Sequence, residues 1–158
     1  MEHQGKERLT QTGFQPPADF SDSQREELVV NAGELIARAN QQMATVHCPE
    51  SVRRAMDIAL DELYTNISLY AYDGKRGPVR CLMDVRRGVA AVTLVDEGIP
   101  FDPTAEAEPV LPTDGPKFGG LGIFLARSLM DTMLYERVGN ENRLTITKCW
   151  KTETPETV

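Results

Sequence analysis

The run Val89-Ala90-Ala91-Val92-Thr93-Leu94-Val95 is apolar at all but one position. A strand that alternates in polarity can turn one face to water. A strand without a polar face needs cover on both sides and belongs at the centre of a sheet. The preceding run, Val79 to Arg86, is also strand-like, and Arg87-Gly88 between the two reads as a tight hairpin.

Upstream the period changes from strand to helix. Leu28, Val29, Ala32, Leu35, Ile36 and Ala39 recur at three- and four-residue steps, which predicts an amphipathic helix from Ser23 to about Met43. Asp22 and its polar neighbours suit its cap. Pro49 sits near the start of a second helix, about Glu50 to Tyr70. Ala55, Ile58, Ala59, Leu63, Ile67 and Tyr70 are its expected core face. Asp73-Gly74 and Gly77-Pro78 end it.

Downstream, Glu97 to Phe118 is irregular and rich in proline and acidic residues, a length usually kept for function or mobility. A third helix, about Leu121 to Asp131, opens on Gly119-Gly120-Leu121-Gly122. Two last strands, about Met133 to Val138 and Arg143 to Trp150, flank the Gly139-Asn140 turn. Helices and strands segregate, so the expected fold is an α+β two-layer sandwich on a mixed, mostly antiparallel sheet. The expected division is an N-terminal segment over residues 1–18, one domain over 19–150 and a tail over 151–158.

Composition narrows the function. A formal net charge of −7 excludes a sequence-independent nucleic-acid binder, which needs a basic face. Three cysteines without metal-ligand spacing suit a reduced compartment. No stretch approaches membrane-spanning length and the N-terminus lacks an apolar signal core, so a cytoplasmic location is expected.

Three patterns carry chemistry. Glu62 and Asn66 lie one helical turn apart on one face, a carboxylate and an amide placed to hold Mg²⁺ and a hydroxyl beside phosphates. Asp96 ends the apolar strand, where its carboxylate can accept a hydrogen bond from an exocyclic amine such as adenine N6. Gly98, two residues on, lets a flat base approach the backbone. Glycines at 119, 120 and 122 free backbone N–H groups for an anion at the positive end of a helix, with Lys117 adding charge. Taken singly, each has a plainer reading: a solvated helix face, a strand end before a proline turn, a hinge. P-loop, G-x-G-x-x-G and eukaryotic-type kinase signatures are absent.

In this order and spacing the three patterns resemble the GHKL ATPase superfamily. More narrowly, DIALDELYTN, VDEGIPFDP and GGLGIFLARSLMD look like the anti-sigma-factor serine/threonine kinases of bacterial partner switching. The resemblance runs from about Asp19 to Lys148 and implies the Bergerat ATP-binding fold. It implies Asn66 as Mg²⁺ ligand, Glu62 as general base and Asp96 as reader of adenine N6. Gly98 would admit the base, with Gly119, Gly120, Leu121 and Gly122 around the phosphates. The implied reaction moves the ATP γ-phosphate to a serine or threonine of a STAS-domain antagonist, while a sigma factor or another target is sequestered. The alternative is an ATP-gated binding module without kinase activity, and an orphaned histidine-kinase catalytic domain ranks last.

Two departures stand out. Ser68-Leu69-Tyr70 stands where many relatives carry a histidine, and Asn142 falls near a usual threonine. The long first helix or an open sheet edge offers a surface for homodimerisation.

Overall fold

The computed structural model describes residues 26–105 and 120–152. Five strands form one sheet: β1 (Glu27–Val29), β2 (Val79–Arg86), β3 (Val89–Asp96), β4 (Thr132–Val138) and β5 (Glu141–Cys149). Their order across the sheet is β1-β2-β3-β5-β4, so the apolar run occupies the middle strand. Every pairing is antiparallel, and none of the parallel pairs of a mixed sheet occurs among the described residues. Two-residue turns at Arg87-Gly88 and Gly139-Asn140 close the two hairpins. Each carries its glycine at positive φ, +91° for Gly88 and +59° for Gly139.

Three helices complete the described chain: α1 (Ala32–Thr45), α2 (Glu50–Tyr70) and α3 (Gly120–Leu129). The predicted first helix begins nine residues too early. Leu28 and Val29 pair instead with Arg80 and Val79 as edge strand β1. Asn31 then caps α1, its Oδ1 accepting from Glu34 N at 2.8 Å, while Glu34 Oε2 accepts from Val30 N at 3.0 Å. A few apolar residues at steps of three and four suit a strand followed by a helix as well as one long helix. The reciprocal cap decides where the helix starts.

Helix α2 buries Val52, Met56, Ala59, Leu60, Leu63 and Ile67. Ile58, expected inside, is 43% exposed. The buried stripe is set by the sheet on one side and by α3 on the other, with Met56 and Leu60 filling the place assigned to Ile58. Against this stripe the sheet turns Val79, Cys81 and Met83 of β2, Ala90, Val92 and Leu94 of β3, and Leu144 and Ile146 of β5. The spacing of two along each strand is the pleat itself.

The opposite sheet face explains why β3 has no polar side. Arg80, Val95 and Arg143 lie in register on neighbouring strands. Arg80 bonds Glu141 at 2.5 Å and Glu26 at 3.5 Å, and Arg143 bonds Glu26 and, at 3.2 Å, Glu141. This lattice of ion pairs with its aliphatic stems flanks Val95, which is fully buried. One face of the central strand is covered by helices; on the other, the ion-pair lattice covers Val95 at the strand's end, and Thr93 pairs its hydroxyl with that of Thr145 at 2.8 Å.

Candidate functional site

Two elements of the central layer meet at the site. Helix α2 supplies Glu62 and Asn66 from consecutive turns, and the end of β3 supplies Asp96. Between them opens a cleft of about 440 Å³, counting the solvent-facing space at its mouth. Its walls are mostly apolar, with Leu63, Ile67, Ile99, Phe101 and Leu144 among them, and its polar side chains are Asn66, Tyr70, Asp96, Tyr135 and Asn142. The fold therefore brings together two sequence-predicted site residues, Asn66 and Asp96, and the flagged Asn142.

Asp96 was expected to face a groove, and it does so while only 5% exposed. Its hydrogen bonds among the described residues fall on Oδ1, from Gly98 N at 2.9 Å and from Asn142 Nδ2 at 2.9 Å. No hydrogen bond from a described residue falls on the second oxygen, Oδ2, and Asp96 lines the cleft. The Gly98 bond is local and turns the chain sharply after β3.

Gly98 has a second, structural reason to be glycine. A Cβ there would lie 2.6 Å from Ala71 Cβ and 2.7 Å from Ala71 C, inside any real contact. Ile99 N donates to Ala71 O at 3.0 Å, so the end of β3 is stitched to the end of α2. Tyr72 adds a second fastening: its hydroxyl donates to Pro78 O and accepts from Glu97 N at 2.8 Å. The missing side chain of Gly98 thus lets α2 and β3 close together, which sets the position of Asn66 relative to Asp96.

Glu62 is half-buried and makes no hydrogen bond or ion pair among the described residues. It lies against the first turn of α3. A β-carbon on Gly122 would run into Glu62 Oε2 and come within 3.3 Å of Glu62 Cδ. Gly122 is therefore the residue that gives this carboxylate its room. Gly120 and Leu121 begin the same helix, and Leu121 is 54% exposed. Lys117 and Gly119 lie outside the described residues, as does most of the irregular segment from Glu97 to Phe118.

Sequence reasoning missed two members, Tyr135 and Arg137. Tyr135 donates from its hydroxyl to Asn142 Oδ1 at 2.5 Å, and burial, the largest influence on it, pushes that hydroxyl above its ordinary pKa. It stays a donor through the neutral range. Arg137 Nη1 donates to Asn142 Oδ1 at 3.1 Å and to Gly98 O at 2.8 Å. Asp96, Asn142 and Arg137 form one row across β3, β5 and β4. The hairpin turn at Gly139 was a signal that Arg137 faces Asn142. Nothing local ties either to Asp96.

A helix-backed antiparallel sheet with an acceptor at the end of its central strand and a glycine-opened helix beside it defines the GHKL ATPase fold. The chain belongs to the histidine kinase-like ATPase domain family, whose model matches residues 25–148. Among solved structures it is similar to the catalytic domain of the histidine kinase ThkA. That pair is 14% identical over 78% of this chain and 95% of that one, with a TM-score of 0.49. It is also similar to the histidine kinase domain of the blue-light activated histidine kinase from Erythrobacter litoralis EL346. There the identity is 17% over 84% of this chain and 66% of that one, with a TM-score of 0.46. No curated protein matches the chain. The family is one of ATP-binding, kinase-type domains. No described helix is long and apolar enough to cross a membrane.

The residues fit the nucleotide that the family implies. A flat base suits apolar walls with a single carboxylate, and Asp96 Oδ2, which takes no hydrogen bond from the described residues, would be the acceptor for it. For Mg²⁺ the described residues hold no cluster of three or more acidic, cysteine or histidine ligands.

Proposed function

We propose that this chain is an ATP-dependent protein serine/threonine kinase of the partner-switching kind. Its substrate would be a STAS-domain antagonist, and a sigma factor or another target would be sequestered by the same domain. The observation that carries the reading is Glu62. It is a carboxylate without a hydrogen bond or ion pair among the described residues, one turn from Asn66, which lines the cleft, and against the first turn of α3.

In this reading Asp96 accepts from the exocyclic amine of adenine, and the apolar walls hold the ring. Asn66 would hold Mg²⁺ through its amide oxygen, and the ion would supply neutralisation of the phosphate charge. Gly120 and Gly122, with Lys117 and Gly119, belong to the phosphate-binding turn. Glu62 takes the proton from the attacking hydroxyl as the new P–O bond forms, and ADP departs with the electrons of the broken bond. Phosphoryl transfer asks chiefly for positioning and charge neutralisation, so two polar residues and a helix N-terminus suffice as machinery.

Incubation with Mg-ATP and a STAS-domain protein encoded beside it should yield phosphoserine or phosphothreonine. Transfer by Glu62→Gln as fast as by the wild type would remove the base from the mechanism.

A second reading, ATP-gated protein binding without transfer, is favoured by one feature. Leu121 within the glycine run, and Phe124 and Leu125 just after it, lie at helical spacing on α3 and are 54%, 40% and 39% exposed. Tight ADP binding, with a partner retained and no phosphate moved, would select it.

A further inference from the structure

We infer that Asn142 sets the base selectivity of the cleft by holding Asp96 as an acceptor with one free oxygen. The inference rests on the nucleotide reading above and concerns a residue that does not itself perform the chemistry.

The case is one of saturation. Asn142 is 6% exposed, and its amide has two donor and two acceptor positions. Nδ2 donates to Asp96 Oδ1 at 2.9 Å and to Ile99 O at 2.8 Å. Oδ1 accepts from Tyr135 Oη at 2.5 Å and from Arg137 Nη1 at 3.1 Å. All four positions are filled. A half-turn of the amide would set its NH₂ against two donors and its oxygen against a carboxylate and a carbonyl. Only one orientation survives, and that orientation always presents N–H to Asp96.

The consequence passes to the carboxylate. With Gly98 N and Asn142 Nδ2 both on Oδ1, rotation of Asp96 would break two hydrogen bonds in a buried site. Oδ2 therefore keeps one direction. A carboxylate oxygen in a fixed direction matches an amino substituent on a base and opposes an oxo substituent. Arg137 extends the brace by holding Gly98 O at 2.8 Å, so the turn that supplies one clamp is tied to the side chain that supplies the other.

The test compares ADP with inosine diphosphate, which carries an oxo group where ADP carries the amine. Both are diphosphates, so turnover does not enter. Kd for each is measured by calorimetry for the wild type, Asn142→Thr and Asn142→Val, with thermal melting of each. Threonine and valine have nearly the same shape, but only threonine retains a donor for Asp96. The wild type should prefer ADP by tenfold or more, Asn142→Val should lose about tenfold of that preference, and Asn142→Thr should keep most of it.

An Asn142→Val protein that keeps the wild-type preference overturns the inference and leaves nucleotide binding intact. A wild type that binds both diphosphates equally overturns the acceptor assignment of Asp96. A wild type that binds neither at millimolar concentration overturns the nucleotide reading itself and the inference with it. If Asn142→Val does not melt cooperatively, Tyr135→Phe and Arg137→Met each release one contact to Asn142 Oδ1. Unchanged preference in both variants then overturns the brace.

Discussion

Replacing Gly122 by alanine separates the fold from the chemistry. The position lies in the first turn of α3, with no positive φ to forbid a side chain. Helix propensity alone favours alanine over glycine by roughly 0.5–1 kcal/mol. What opposes the change is Glu62. A β-carbon built on Gly122 falls 2.3 Å from Glu62 Oε2, and real β-carbons essentially never approach closer than 3.0 Å. The carboxylate, at the end of a flexible side chain, must therefore retreat by about 0.7 Å. A misplacement of ~1 Å at a reacting group costs on the order of 100-fold in rate. The expected loss in phosphotransfer is thus roughly 10- to 100-fold, with little change in melting temperature.

The assay is a cycle of four proteins: wild type, Gly122→Ala, Glu62→Ala and the double variant. In the Glu62→Ala background the obstruction is gone, so Gly122→Ala should raise the melting temperature by about 2–4 °C, the equivalent of ~1 kcal/mol in a domain of this size. In the wild-type background the gain should be smaller. The reasoning fails if Gly122→Ala shifts melting equally in both backgrounds, since the two side chains would then not meet. It also fails if Gly122→Ala transfers phosphate at the wild-type rate, since the position of Glu62 would then not matter.

Three further outcomes are expected. Gly98→Ala should destabilise the fold by ~1–3 kcal/mol, read as a lower urea midpoint, because its Cβ meets the Ala71 backbone and not a flexible chain end; a wild-type midpoint would contradict the stitched α2–β3 junction. Asp96→Asn should weaken ADP binding by at least ~10-fold and should not restore it at any pH, because the amide turns a donor toward the amine or toward Asn142; unchanged binding would remove Asp96 from base recognition. Burial raises the Cys81 thiol to about 11, above its unfolded value, so the folded state retains a proton that the unfolded state releases. Stability relative to Cys81→Val should therefore be steady below pH ~8.5 and fall as pH rises toward 11, and a flat difference across that window would refute the burial argument.

The parts of this fold that could be read from sequence are those in which neighbours along the chain decide the structure. Val79–Arg86 and Val89–Asp96 were legible because the hairpin turn sits between them and the glycine at 88 has to take positive φ. Helix α2 was legible from end to end because Pro49 opens it and Asp73-Gly74 follows soon after. Strand β1 was not. Its three residues acquire their conformation from Val79, Arg80 and Cys81, some fifty positions away, and its apolar steps merge with those of α1.

The site divides along the same line. Glu62 and Asn66 share a helix, so four-residue spacing was enough to put them on one face. Asp96 and Asn142 share no element, and their pairing is fixed only by the register between β3 and β5. Asn142 illustrates the cost of reading by motif: it stands out only as a departure from the usual threonine until register sets it beside Asp96. Gly98 and Gly122 make the converse point. Both were read as openings for a ligand, yet each missing β-carbon is also required by the protein's own packing, against Ala71 in one case and Glu62 in the other. Those two approaches tie β3 and α3 to the helix that bears Glu62 and Asn66. The glycines of such a site therefore do more than leave space for nucleotide, since they fix the distances at which the polar residues can act together.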